Sequence, residues 1–179
     1  MVNKKLGFGI IGCGMISNWH AQAISQIDHI RLVGVTDVRK ESREDFAKKY
    51  NAGVYETVED MLRDHEIDVV CICTPSGLHE PLAVKAAQAG KHIITEKPMA
   101  LSMEEAGHII RISEENRVKV AVISQLRFSD AIIRLKEAVN LGLLGKLVTG
   151  DIYMKFNRSQ EYYDQSNWRG TWKMDGGGA

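Results

Sequence analysis

The stretch "TEKPMAL", residues 95–101, sets a glutamate and a lysine directly before a proline, at the end of the apolar run His92-Ile93-Ile94. A turn needs the proline but not the charged pair. If the apolar run is a parallel strand, Lys97 sits at its carboxyl end, where open α/β sheets bind ligands. An ammonium there can hydrogen-bond a hydroxyl or share its proton, with Glu96 lining the same crevice. The alternative is an ion pair on a surface loop. A second group lies in "GFGIIGCGMIS", residues 7–17, which reads Gly12-x-Gly14-x-x-Ser17. Gly12 suits a tight turn and Gly14 lets the backbone approach a phosphate. The helix start at Met15 and Ile16 turns free N–H groups toward an anion. Ser17 replaces the usual third Gly or Ala, and its small side chain still allows close helix–strand packing. Asp37 closes the next apolar run about 20 residues on, where a carboxylate holds the hydroxyls of an adenosine ribose. Loop and carboxylate together predict dinucleotide binding.

Asp37 favours NAD over NADP, since it repels a 2′-phosphate. Arg39 and Lys40 leave NADP possible: they bind a phosphate, stack on adenine, or stand as solvated charges on the following helix. In "CTPSGLH", residues 73–79, Thr74 and Pro75 lie at another strand end and are expected to line the cofactor groove, unless the segment is an ordinary strand-to-helix turn. His79 opens the next helix, where it can meet the cofactor, cap the helix or pack.

The elements that position these residues follow from hydrophobic period. Strands are predicted at residues 6–11, 30–36, 69–73, 92–95 and 118–124, with a short one near Val54-Tyr55. Helices fall between them: 16–27, one from near Glu41, a short one capped by Thr57 with Asp60, 78–89, and one opened by Ser102 with Glu105. Strands alternating with helices make a doubly wound parallel α/β sheet, a Rossmann-like domain over residues 1–123. From 124 the texture changes. Ser129-Asp130 is predicted to cap a helix over 131–141, closed by Gly142 and Gly145. Residues 147–157 alternate, with Val148, Ile152, Met154 and Phe156 on one face, which predicts a strand with one polar face. Residues 124–179 are therefore expected to begin a second α/β domain for substrate binding and oligomerisation.

Lys plus Arg (23) balance Asp plus Glu (23), so no net field favours nucleic acid or an anionic membrane. No apolar run approaches the roughly 20 residues of a membrane helix, and the N-terminus lacks a secretory pattern; a cytoplasmic location is expected. Of three cysteines, Cys71 and Cys73 alternate along an apolar run, which predicts core thiols and no metal site.

The ordered motifs "GIIGCGMIS..H", "VTDVRK", "CTPSGLH", "EKPMAL", "SQLRF" and "NWRGTWKMDGGGA" resemble the Gfo/Idh/MocA oxidoreductase family from Gly9 to the last residue. The resemblance implies an NAD(P)-dependent dehydrogenase of a sugar, cyclitol or sugar nucleotide that forms a homo-oligomer. "SQLRF" and "WRGTW...GGGA" look most like the UDP-N-acetylglucosamine uronate 3-dehydrogenase branch. It also implies that Lys97 hydrogen-bonds the reacting hydroxyl and that the Lys97-Pro98 peptide is cis. Gln125, Trp168 and Arg169 would approach the nicotinamide, with Arg127 and Arg169 facing an anionic part of the substrate. Trp172, Tyr162 and Tyr163 are expected to pack a long loop. Family members carry an Asp and a His one helical turn apart after the GGGA segment, the His acting as acid/base beside the lysine. None of the six histidines here matches it, so the 179-residue chain is expected to bind NAD with little turnover. The alternative function is a dinucleotide sensor or regulator of the same fold.

Overall fold

Val69–Ile72 carries four consecutive buried side chains, the pattern of a strand covered on both faces. The alternation along it is legible in the core. Val69, Cys71 and Cys73 join a cluster with Phe8, Ile10, Ala21, Ile24, Val35 and Phe46. Val70 and Ile72 join Ile11, Met61, Ala83, Ala86, Ile93 and Ile109 on the opposite face. In the computed structural model, which describes residues 5–176, this strand is β4 of a six-stranded sheet. The others are β1 (Leu6–Ile11), β2 (Ile30–Thr36), β3 (Gly53–Val54), β5 (His92–Thr95) and β6 (Val120–Val122). Their order is β3-β2-β1-β4-β5-β6, every pair parallel.

Helices α1 (Met15–Ser25) and α2 (Lys40–Tyr50) cover one face; α3 (Val58–Arg63), α4 (His79–Gln88) and α5 (Met103–Glu115) cover the other. Two caps form as the sequence predicts. Thr57 Oγ1 accepts from the Asp60 N–H at 3.0 Å, and Ser102 Oγ from the Glu105 N–H at 3.1 Å. The doubly wound parallel sheet is therefore the fold of this part of the chain. At the switch between β1 and β4 the following helices leave toward opposite faces, which opens a crevice at the carboxyl ends of the strands.

The chain divides into two compact units, one running to Ile123 and including the segment from Gly170 on, the other Ser124–Arg169. The segment from Gly170, expected to belong with the second domain, groups with the sheet instead. Its helix α8 (Trp172–Asp175) seats on the turn Ser76–Leu78. A Cβ on Gly77 would collide with Lys173 O there, so this close approach requires glycine. The GGGA tail beyond Gly176 lies outside the described residues.

The second unit contains a 3-10 turn (Gln125–Phe128), α6 (Asp130–Asn140) and α7 (Gln160–Asp164). Two expectations change here. Ser129 does not cap α6 with its side chain; its hydroxyl donates to Leu126 O at 2.9 Å. Residues 147–157 form no strand, and Val148, Ile152 and Phe156 are exposed. Alternation gives a strand its two faces, but the ladder needs a neighbour to take its N–H and C=O groups. Among the described residues the second unit supplies none. No helix among the described residues is long and apolar enough to cross a membrane.

Candidate active site

At the end of β1 the chain turns at Gly12, whose φ is +95° and whose N–H donates to Thr36 O at 2.8 Å. A Cβ here would sit 2.8 Å from Cys73 O and 3.2 Å from Thr74 Cγ2, so the turn threads between the ends of β2 and β4. Gly14 differs: it caps α1, and a Cβ there would meet nothing within 4 Å. No side chain caps α1, which leaves first-turn N–H groups at Met15 and Ile16 available to an anion. Ser17 is fully buried and its hydroxyl donates to Gly14 O at 2.6 Å, so the residue that departs from the glycine pattern ties down the loop.

Asp37 is bound into this loop. Its Oδ2 accepts from the Cys13 N–H and its Oδ1 from the Arg39 N–H, both at 2.8 Å. Its side chain is 10% exposed, and each oxygen keeps acceptor capacity for a further donor. Arg43 Nη1 donates to the Asp37 carbonyl at 3.2 Å from one turn into α2. Arg39 lies near the carboxylate, Nε to Oδ1 3.7 Å, with an exposed side chain. Lys40 pairs along α2 with Glu44, as a solvated charge.

Across the crevice, Thr74 Oγ1 is buried without a hydrogen-bond partner at the end of β4. His79 is 1% exposed; its Nδ1 is 2.7 Å from Pro98 O and its Nε2 3.1 Å from Thr74 O. Both ring nitrogens thus lie at carbonyl oxygens, one on the loop that follows β4 and one on the loop that follows β5, and the ring packs between these two loops. Glu96 is buried while Lys97 is exposed, and the Lys97-Pro98 peptide is cis. Burial is the largest influence on the Glu96 carboxyl and pushes its pKa up. The hydrogen bond and charge of His20, with the Lys97 N–H and ammonium, outweigh it and hold the carboxyl below its ordinary range. The thiols nearby are inert: burial, then the Glu96 charge, pushes Cys71 up to about 12.

His20, the last residue of the motif "GIIGCGMIS..H", is the participant for which the sequence reading names no role. Its Nε2 is 3.0 Å from Glu96 Oε1, 76 positions away along the chain. The available signal was helical: His20 lies three residues after Ser17, on the α1 side that also buries Ala21 and Ile24.

The remaining expected residues lie in the second unit. Gln125 opens the 3-10 turn and Arg127 N–H donates to Ser124 O at 3.0 Å. Arg169 Nη1 donates to Tyr162 O at 3.0 Å, and its guanidinium covers the Tyr162 ring at 4.3 Å and the Trp168 ring at 5.7 Å. Tyr162 and Tyr163 pack edge to face, 5.3 Å between centroids. Trp172, in the first unit, is 82% exposed and does not pack a loop.

The first unit's donor set fits a dinucleotide: an uncapped helix start, an open glycine face, a tethered carboxylate and an orphaned hydroxyl border one crevice. The Gfo/Idh/MocA family model, an oxidoreductase family with an NAD-binding Rossmann fold, matches residues 6–124. The chain belongs to this family. Similar proteins of known structure include the WlbA dehydrogenase of Bordetella pertussis, solved with NADH and UDP-GlcNAcA. It is 35% identical, with a TM-score of 0.89, over 98% of this chain and 53% of that one. Curated relatives include glucose-6-phosphate 3-dehydrogenase of Bacillus subtilis, 31% identical over 86% of this chain and 43% of its own length. Myo-inositol 2-dehydrogenase of Thermotoga maritima is 30% identical over 77% and 42%. The chain thus spans about half the length of the relatives it matches, and that half carries the NAD-binding fold.

Proposed function

We propose that this chain is the cofactor-binding part of a dehydrogenase that oxidises a hydroxyl, or reduces the matching ketone, on a sugar, cyclitol or sugar nucleotide. The observation that carries the reading is the tether between Asp37 and Cys13 N–H, because it makes the ribose-holding carboxylate and the phosphate-holding loop one rigid piece. The N–H groups at Gly14, Met15 and Ile16 would hold the pyrophosphate, with Gly12 setting the turn. Asp37 would accept from the ribose hydroxyls, with Arg39 beside the adenosine. Thr74, Pro75 and Glu96 would wall the groove, and His79 keeps the walls in register. A bound nicotinamide supplies a hydride acceptor or donor. Lys97, at the end of β5, donates a hydrogen bond to the substrate oxygen and stabilises negative charge developing there. Gln125, Arg127, Trp168 and Arg169 enter this proposal by family resemblance alone, toward cofactor and an anionic substrate group. The UDP-GlcNAcA bound by the WlbA dehydrogenase makes a sugar nucleotide with a carboxylate the first substrate to try.

The test is a titration of the 179-residue chain with NAD, NADH and NADP, followed by tryptophan fluorescence and calorimetry. Saturable binding of NAD and NADH, with NADP weaker by tenfold or more, about 1.4 kcal/mol, is expected from the Asp37 charge. Absence of saturable binding of all three overturns the reading.

A further inference from the structure

We propose that His20 is a positioning residue for Lys97, acting through the carboxylate of Glu96, so that the helix following the glycine loop and the lysine respond together to an occupant of the crevice. The inference rests on the reading of Lys97 as the group that meets the substrate oxygen.

The sheet's hold on the backbone stops just before Lys97. Thr95 O still accepts from Ile123 N at 2.9 Å, and Glu96 N donates to Ile72 O at 3.2 Å. The ladder ends there, and the next fixed point beyond the lysine is Pro98 O, 2.7 Å from His79 Nδ1. Lys97 is therefore bracketed by two anchored neighbours, and the one on its N-terminal side, Glu96, is held by its side chain as well as by its N–H. His20 and Glu96 are 10% and 8% exposed. A buried carboxylate is costly unless hydrogen-bonded, so this contact is unlike a surface ion pair of negligible worth. An ionised carboxylate only accepts, so His20 donates through Nε2–H. The lever is short: His20 stands on α1, whose first turn faces the phosphate-binding loop, and Glu96 adjoins Lys97 in the chain. The Lys97 N–H also favours the charged form of the same carboxylate, so backbone and side chain of the pair share one acceptor.

The Lys97 amide reports on this linkage directly. The titratable groups around Glu96 are His20 from α1, Lys97 from its own loop, and the Cys71 and Cys73 thiols of β4, both kept neutral by burial. In a 15N-labelled chain, the Lys97 amide should follow a carboxyl that titrates below the ordinary glutamate range. Replacing His20 by alanine (H20A) removes the donor and leaves burial dominant, so the midpoint should move up. His20→Gln keeps a donor without the charge and should fall between the two. NAD added to the wild-type chain should shift the Lys97 amide, and H20A should lose that shift while still binding NAD. A His20 with only a structural role would lower stability in H20A and leave the Lys97 midpoint and NAD response on the wild-type curves; that result overturns the proposal. If H20A does not fold, His20→Gln carries the test: a midpoint equal to the wild type's overturns it. Failure of the wild-type chain to bind NAD sinks the functional reading instead, and the pH titration still decides whether His20 governs Lys97.

Discussion

The two glycines of the loop should fail in different ways when given a side chain. Gly12→Ala meets two costs. A φ of +95° is costly for any residue with a Cβ, about 1–2 kcal/mol. The new methyl would also lie 2.8 Å from Cys73 O and 3.0 Å from Cys73 C. These are backbone atoms of a central strand's end, which cannot swing aside, so relief requires shifts of the overpacking kind, about 1–3 kcal/mol. The sum, about 2–5 kcal/mol, is a large share of the roughly 5–15 kcal/mol that holds a domain together. With a urea m-value near 2 kcal/mol/M, the midpoint should drop by about 1–2.5 M. Gly14→Ala has a compatible backbone, φ −83°, and open space before the Cβ. It should cost at most about 1 kcal/mol of folding stability but should lose most NAD affinity, because the methyl occupies the face a pyrophosphate must approach. Urea melts of both variants, paired with NAD calorimetry, separate these outcomes. Equal midpoints for the two variants, or wild-type NAD affinity in Gly14→Ala, would refute the assignment of one glycine to the turn and the other to the ligand.

Asp37→Asn replaces one acceptor with an amide donor facing a backbone N–H that the carboxylate now satisfies. It should cost about 1.5–3 kcal/mol in a urea melt and lower NAD affinity in calorimetry. Ser17→Ala should lose about 0.5–1.5 kcal/mol with the bond to Gly14 O; Ser17→Gly should lose about 1 kcal/mol more from helix propensity, although glycine is the commoner residue there. At high pH the folded chain keeps the Cys71 proton up to about 12 while the unfolded thiol gives it up near 9.0. The unfolded state thus binds fewer protons in that window, and stability falls there by about 1.4 kcal/mol per pH unit for this one group. Cys71→Ala should flatten the slope of unfolding free energy against pH by that amount, and an unchanged slope would show that the thiol does not titrate on unfolding.

Where apolar runs had partners on both sides, the sequence read well. β1, β2 and β5 begin and end where the pattern predicts. β6 shrinks from the expected 118–124 to Val120–Val122, as suits an edge strand paired only with β5. Residues 147–157 carry a cleaner alternation than β6 does, yet they form no strand. Period 2 says which side chains share a face; it does not supply the neighbouring backbone. The same limit explains His20. Helical spacing put it on the inward side of α1, but the carboxylate it meets arrives from 76 positions away, by a sheet order that no local pattern encodes.

His79 marks a further boundary, because its partners are carbonyls. Motif reasoning weighs side chains against side chains, and the oxygens of Thr74 and Pro98 have no signature in a sequence. A neutral imidazole donates through one nitrogen only, yet both ring nitrogens here lie at acceptors. The ring therefore cannot serve both loops equally in its neutral form, and the two loops it joins are those that flank the crevice on either side of β4 and β5. Pro98, one of the imidazole's two partners, is the residue that follows Lys97. The candidate site is thus as much a set of braced strand ends as a set of reactive groups. Its reactive groups were legible because their types are rare at such positions; its braces became legible only once the strands had an order.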